Sequence, residues 1–283
     1  MKRILATTTI LAMSAGFAAA EVTLSGDARM GIISDFGGAD AVFTSRARVT
    51  FTLSGESDSG FSFGASFGAH EAEGAAEGEA GSVWIEGAFG KLSMGDVDHG
   101  DKAAVGNISG VGLTDLGDLN EVDYDNSNTT LPRALYEYST GGLAFYLSVG
   151  LDNAAPSNSY GVGVKYSTDT FAVALGYGQD SDEDTQVSVS ASANLGAATV
   201  KAIYSQYDAA WGPFTADEMG MSVDYTAGAA TITAFYMDSD WDVGPAYGLG
   251  ASYDLGGGAS LVGGVAVNGS DDTAWDLGLS FSF

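Results

Sequence analysis

Two sets of charged residues in this chain are spaced so that they could act together. The first is a run of carboxylates between Asp96 and Pro132: Asp96, Asp98, Asp101, Asp115, Asp118, Glu121, Asp123 and Asp125, against a lone Lys102 and His99. The second is basic: Arg29, Arg46 and Arg48 gather within twenty residues of one another in a chain that holds only 10 Lys and Arg. Carboxylate clusters attract hard cations such as Ca²⁺, which takes roughly six to eight oxygen ligands. Carboxylates set opposite guanidinium groups make an electric field, and low-dielectric walls focus it.

Covalent catalysis has little to work with. His70 and His99 are the only histidines and there is no cysteine, so no thiolate nucleophile, disulfide framework or cysteine metal site exists. No H-E-x-x-H occurs. Gly64-Ala65-Ser66-Phe67-Gly68 spells G-x-S-x-G, but it lies inside an alternating segment without the strand-to-helix elbow that motif requires. Gly256-Gly257-Gly258 reads as a turn.

The elements that position these charges start after a leader. Lys2 and Arg3, an apolar Ile4–Phe17 and the small residues Ala18-Ala19-Ala20 read as a secretory signal peptide over 1–20, with the mature chain from Glu21. Two of the 10 basic residues and none of the 37 acidic ones lie in that leader, so the mature chain carries 8 − 37 = −29. That charge argues against nucleic acid and anionic lipid as partners and suits a surface that holds divalent cations.

After the leader, no apolar run is long enough for a membrane helix. Strands that alternate apolar-out and polar-in escape that test, because each averages to neutral. Such alternation is present. Phe43, Ser45, Ala47, Val49, Phe51 and Leu53 share one face, while Thr44, Arg46, Arg48, Thr50 and Thr52 share the other. Arg29 falls on the polar face of the preceding segment, Val22–Ile32. Phe61–His70 alternates likewise, and further strands are predicted near 82–88, 91–96, 133–139, 143–150, 159–166, 170–178, 185–194, 197–206, 217–226, 229–237, 246–254, 259–267 and 273–283, sixteen in all.

Short turns alternate with longer, often acidic connections such as Ser34–Ala41, Glu71–Gly81, Asp152–Asn158, Gln179–Asp184, Asp208–Ala216 and Asp238–Pro245. All four prolines, Pro132, Pro156, Pro213 and Pro245, fall in or beside the long ones. Aromatics gather at strand ends in two belts, Tyr138, Tyr166 and Tyr225 among those near short turns and Tyr160, Tyr204 and Tyr236 among those near long ones. Leu277-Gly-Leu279-Ser-Phe281-Ser-Phe283 alternates strictly, as the strand that closes a barrel on the first would. These features predict an all-β, transmembrane antiparallel barrel of sixteen strands over 21–283.

Five blocks resemble the general porins of the alphaproteobacterial outer membrane: EVTLSGDARMG at the start, SRARVTFTLSGESDSG, EGAFGKLSMGD, YGLGASYDLGGGASLVGG and the terminal Phe283. The resemblance covers essentially the whole mature chain and weakens in the long loops. It implies a sixteen-stranded multi-pass barrel in the Gram-negative outer membrane, in contact with lipopolysaccharide and assembled as a homotrimer. It also implies a third long loop folded into the bore, and Asp96–Pro132 is that loop.

On this resemblance the pore constriction has a wall of Arg29, Arg46, Arg48 and His70. Facing it is a loop carrying Asp96, Asp98, Asp101, Asp115, Asp118, Glu121 and Asp123. Lys91, Arg133, Lys165 and Lys201 also alternate onto the polar face and extend the wall in this reading. Gly68 stands where another wall base would be sought. No cofactor is required. The family resemblance adds an expectation of calcium at Asp96, Asp98 and Asp101, although no EF-hand spacing is present there.

The function expected is passive diffusion of small hydrophilic solutes and ions, without enzymatic activity. A substrate-selective channel would need an aromatic row on the lumen faces, and none is visible in the sequence. A non-conducting adhesive or anchoring barrel would need a filled lumen, whereas the small inward residues point to an open one. An outer-membrane hydrolase would need a catalytic site, and no motif supplies one.

Overall fold

The structure is a computed structural model that describes residues 20–38, 40–72, 75–124, 132–151 and 158–283. The expected leader, apart from Ala20, lies outside the described residues, as do Glu73, Asp125, Asp152 and Pro156.

The alternating segments form strands. The first half of the chain gives β1 (Glu21–Ser34), β2 (Val42–Glu56), β3 (Ser62–Ala72), β4 (Ala75–Gly78), β5 (Ser82–Gly87) and β6 (Gly90–Gly95). A short helix α1 (Gly100–Val105) and a tight turn at Asp115–Asp118 follow. Then come β7 (Arg133–Thr140), β8 (Leu143–Gly150), β9 (Ser159–Ser167), β10 (Phe171–Gln179), β11 (Thr185–Leu195) and β12 (Ala198–Asp208). The last are β13 (Thr215–Ala227), β14 (Ala230–Ser239), β15 (Ala246–Gly256), β16 (Ala259–Val267) and β17 (Thr273–Ser282).

Apart from β4 and β5, which both pair with β3, each strand pairs antiparallel with its neighbours in the chain, and β17 returns to pair with β1, closing the sheet. Phe283 completes the seam: its N–H donates to the Gly26 carbonyl at 2.9 Å and its carbonyl accepts from Gly26 N–H at 3.4 Å. Closure pairs the first strand with the last, so neither presents an open edge to hydrocarbon, where unpaired backbone groups are costly. The seventeen strands make sixteen staves, because β4 and β5 both pair with β3, one above the other.

That shared stave revises one expectation. Glu71–Gly81 reads as a long connection, yet β3 continues to Ala72 and β4 pairs back onto it. The stretch is rich in Ala, Gly and Glu, so the apolar alternation fades while backbone pairing goes on. Elsewhere the predicted strands stand within a few residues of those observed. In the turn between β7 and β8, Gly141 and Gly142 both take positive φ, 57° and 86°, as a two-residue type I′ hairpin demands.

The side chains are sorted inside-out. On β11, Val187 and Val189 are 46% and 43% exposed, whereas Ser188 and Ser190 between and beyond them are 0% and 6% exposed. A water-soluble sheet would bury the valines. Here the outward apolar band meets lipid and the polar face looks inward. The apolar core is likewise internal. Ala104, Val105, Ile108, Val111, Leu116, Val122 and Tyr124 from the 96–124 segment pack on Ala174, Ile203, Phe235, Met237, Ala246, Ala266 and Ala274 of the wall.

Candidate pore constriction

The segment that leaves β6 follows the inner wall through a series of hydrogen bonds. At α1, Gly100 N–H donates to Ser148 Oγ at 2.8 Å, and Ser190 Oγ donates to the Val105 carbonyl at 3.0 Å. Farther round the barrel, Ser109 donates from its N–H to Ser222 Oγ at 3.0 Å and from its hydroxyl to Asp224 Oδ2 at 2.7 Å. Thr114 N–H and Oγ1 both donate to Asp276 Oδ2, at 2.7 and 2.8 Å. On the way back, Asp123 N–H donates to Glu218 Oε1 at 3.2 Å. Polar groups of β8, β11, β13 and β17 thus hold the segment across much of the bore's circumference.

The wall has been cleared to receive it. A Cβ on Gly176 would come within 2.6 Å of Asp101 Cβ, and one on Gly248 within 2.7 Å of Val111 Cγ2. A Cβ on Gly264 would meet Gly112 N at 2.7 Å, and one on Gly278 would meet Leu113 Cδ2 at 2.6 Å. Real Cβ contacts are not that short, so only glycine lets the two backbones approach. From the sequence alone, small inward residues imply open space. On β10 and β15–β17, the glycines are instead the seat of the inward segment.

At Asp115–Asp118 the backbone turns left-handed. Asp115, Leu116, Gly117 and Asp118 have φ of 64°, 43°, 82° and 55°. Each non-glycine residue in that conformation costs about 1–2 kcal/mol. Leu116, 1% exposed in the internal core, and the Thr114–Asp276 bonds hold the turn in place. The result is a pair of exposed aspartates, Asp115 and Asp118, with the leucine between them turned into the wall.

Opposite stands the arginine wall. In the β1–β2 register, Arg29 lies across from Arg46 and Asp27 across from Arg48. Asp27 holds both β2 guanidinium groups, at 2.8 Å from Arg48 Nε and 3.6 Å from Arg46 Nη2. Arg29 reaches further inward and donates from Nη1 to the Leu113 carbonyl at 3.4 Å. Wall and loop therefore touch beside Asp115. Desolvation in the narrow site, followed by repulsion from Asp118, pushes the Asp115 carboxyl above its usual range, while Arg29 and Arg46 pull it back.

The remaining expected wall bases take other parts. His70 is paired in register with Arg48, and its Nδ1 lies 3.0 Å from Glu79 Oε1. That Glu79 carboxylate covers Gly68, the position where a further base was sought. Arg133 donates from Nη1 to the Val97 carbonyl at 3.0 Å, and Lys201 Nζ donates to the Asn107 carbonyl, so both tether the inward segment. Lys91 lies near Glu137, at 3.9 Å, toward a short turn.

The loop acids are dispersed. Asp101 is fully buried and its Oδ1 lies 2.6 Å from Nδ1 of the buried His99. Asp98 is 3.9 Å from Lys102. Asp96 and Asp98 line a polar cavity of about 490 Å³ with Lys91, Ser93 and Glu137. Glu121 and Asp123 are exposed beyond the left-handed turn. Asp96, Asp98 and Asp101 do not converge, and among the described residues no three His, Asp or Glu side chains are grouped to hold a metal ion. These residues do not fit the expected calcium site, because Asp101 is turned into the wall and already engaged.

Three wall carboxylates, Asp224, Glu218 and Asp276, do not stand out by sequence spacing alone. They hold the loop, and their signal was available: acidic residues on the inward parity of strands that otherwise carry Ser and Gly there.

Comparison with known proteins agrees with this architecture. A family described as Gram-negative porin matches residues 6–273. A porin of Rhodobacter capsulatus is 40% identical over 303 aligned positions, covering 93% of this chain and all of that protein. A porin structure refined at 1.8 Å superposes with a TM-score of 0.77 at 36% identity, covering 93% of this chain and 100% of that one. A triple mutant of Rhodopseudomonas blastica porin superposes with a TM-score of 0.78 at 23% identity over the same share, a likeness of fold.

Proposed function

The chain belongs to the Gram-negative porin family, and from that premise we propose that Arg29, Arg46 and Arg48 facing Asp115 and Asp118 set the selectivity of its bore. The protein is a passive channel of the outer membrane for small hydrophilic solutes and ions, and it is not an enzyme. The observation that supports the proposal is the hydrogen bond from Arg29 Nη1 to the carbonyl of Leu113, two residues before the exposed Asp115.

The mechanism is physical. The inward segment narrows the lumen, so large solutes are excluded by size. Between arginines and aspartates the potential changes sign over a short distance within low-dielectric walls. A dipolar solute gains by aligning with that field. An apolar solute must displace water that the field orders, and is penalised.

With a formal net charge of −27 over the whole chain, and −29 once two leader cations are removed, the bore favours cations moderately. The arginines oppose that preference locally. Assembly as a homotrimer, contact with lipopolysaccharide and removal of a 1–20 leader belong to the same proposal and rest on the sequence resemblance.

Reversal potentials across planar bilayers in a salt gradient test the reading. Cation preference that shrinks at high salt is the expected result, because screening shortens the reach of fixed charge. Anion preference in the unaltered protein would overturn it.

A further inference from the structure

The long connections that follow β12 and β14 carry a group of aromatic rings that the constriction does not use. Tyr207 is the penultimate residue of β12, its side chain buried, on the inward parity of that strand. Trp241, from the connection after β14, lies edge-on to Tyr207 with centroids 5.2 Å apart, and Phe214 lies 5.3 Å from Trp241. Trp211 stacks on Phe214 at 6.0 Å with an interplanar angle of 15°. Four rings thus form a continuous ledge at the long-loop end of the barrel, anchored on the inward-facing Tyr207.

The ledge is held in shape. Asp184, itself buried, accepts from the Tyr207 hydroxyl and from Ala210 N–H. Ala209 N–H donates to the Phe214 carbonyl at 3.0 Å, closing the turn that carries Trp211. Around the buried Tyr207, the other three rings are exposed on the chain: Trp211 is 77% exposed, Trp241 44% and Phe214 37%. A contiguous exposed aromatic patch rimmed by polar residues is a feature of interaction sites.

Charge identifies what would bind. Asp240 and Asp242 flank Trp241 and are exposed. No Lys, Arg or His follows Lys201, whereas eleven Asp and Glu residues do. The rings therefore face no competing cation from their own side of the barrel. An aromatic face attracts a cation through its quadrupole, most strongly for tryptophan, and the flanking carboxylates add to that attraction. We propose that Tyr207, Trp211, Phe214 and Trp241 form a binding ledge for small organic cations of the quaternary ammonium class at the outer mouth of the pore.

The probe is choline, added to the long-loop side of a bilayer carrying the channel in KCl. Choline should reduce the potassium current in a saturable way. The isosteric alcohol in which carbon replaces the quaternary nitrogen should not. Trp211→Leu with Trp241→Leu should raise the half-blocking concentration by about threefold to thirtyfold, the span of cation–π contacts from exposed to desolvated sites. Trp241→Phe keeps a ring and should retain most of the block. If the double variant fails to assemble, Trp211→Leu alone, at the most exposed ring, gives the same readout. Equal block by the neutral isostere, or an unchanged half-blocking concentration in the leucine variants, would overturn the proposal. The current in KCl without choline reports separately on the channel itself.

Discussion

Arg29 on β1 and Leu113 on the inward segment meet through a single bond, Nη1 to carbonyl oxygen at 3.4 Å. It is the point where the cationic wall touches the loop that opposes it. Because the acceptor is a backbone carbonyl, the contact fixes the loop's path without neutralising the guanidinium. Arg29 therefore still contributes its full charge beside Asp115.

Neutralising Arg46 and Arg48 together should raise the cation-to-anion permeability ratio, since two of the three wall cations disappear while Asp27, Asp115 and Asp118 remain. Neutralising Asp115 and Asp118 should lower it. Reversal potentials at low ionic strength, where exposed charges are least screened, give the most sensitive comparison. An unaltered ratio in the double arginine variant would show that these groups do not set the field.

Selectivity should also depend on pH in a defined direction. The Asp115 carboxyl is raised by desolvation and by Asp118, so on acidification it takes up its proton before an ordinary aspartate does. Cation preference should accordingly begin to fall above the usual aspartate range, and Asp115→Asn should remove that first step. Arg46 stabilises the Asp115 carboxylate, so Arg46→Ala should move the step to still higher pH. A step that stays in place in Arg46→Ala would separate the two residues.

The glycine seat predicts a defect confined to the loop. At Gly264 a Cβ meets the Gly112 backbone, which cannot swing aside as a side chain would. Overpacking of this kind costs about 1–3 kcal/mol. Gly264→Val should displace the loop into the bore, lowering single-channel conductance and adding current noise. The strand content of the barrel, read by circular dichroism, should be unchanged. Normal conductance would mean that the loop does not depend on this close approach.

Phe281→Asp with Phe283→Asp should block assembly into the outer membrane. Phe281 is paired with Ala28 at the closing seam, and Phe283 bonds through its backbone to Gly26. A charge on the lipid face costs up to about 2–4 kcal/mol at the bilayer midplane and less near the interface. Fractionation of cells expressing the variant provides the measurement.

The barrel was legible in the sequence because it rests on local chemistry. A strand with lipid on one side and water on the other must alternate with period two, and Phe43–Leu53 or Thr185–Leu195 shows this without reference to any distant residue. The short turns and the closing strand follow from equally local signals. Arg29, Arg46 and Arg48 could be placed on one wall for the same reason, since parity alone fixes the face of a strand residue. The 96–124 segment has no such period. Which of its acids face the bore depends on contacts between residues about 50 to 160 positions apart, such as Gly100 with Ser148 and Thr114 with Asp276. Those contacts bury Asp101 against His99, leave Asp115 exposed beside Arg29, and give the inward glycines their purpose. The rings of Tyr207, Phe214 and Trp241 likewise come together only because β12, β13 and β14 bring their long connections to the same end of the barrel. Periodicity records which face a residue takes; only the closed sheet decides which residues share the space it encloses.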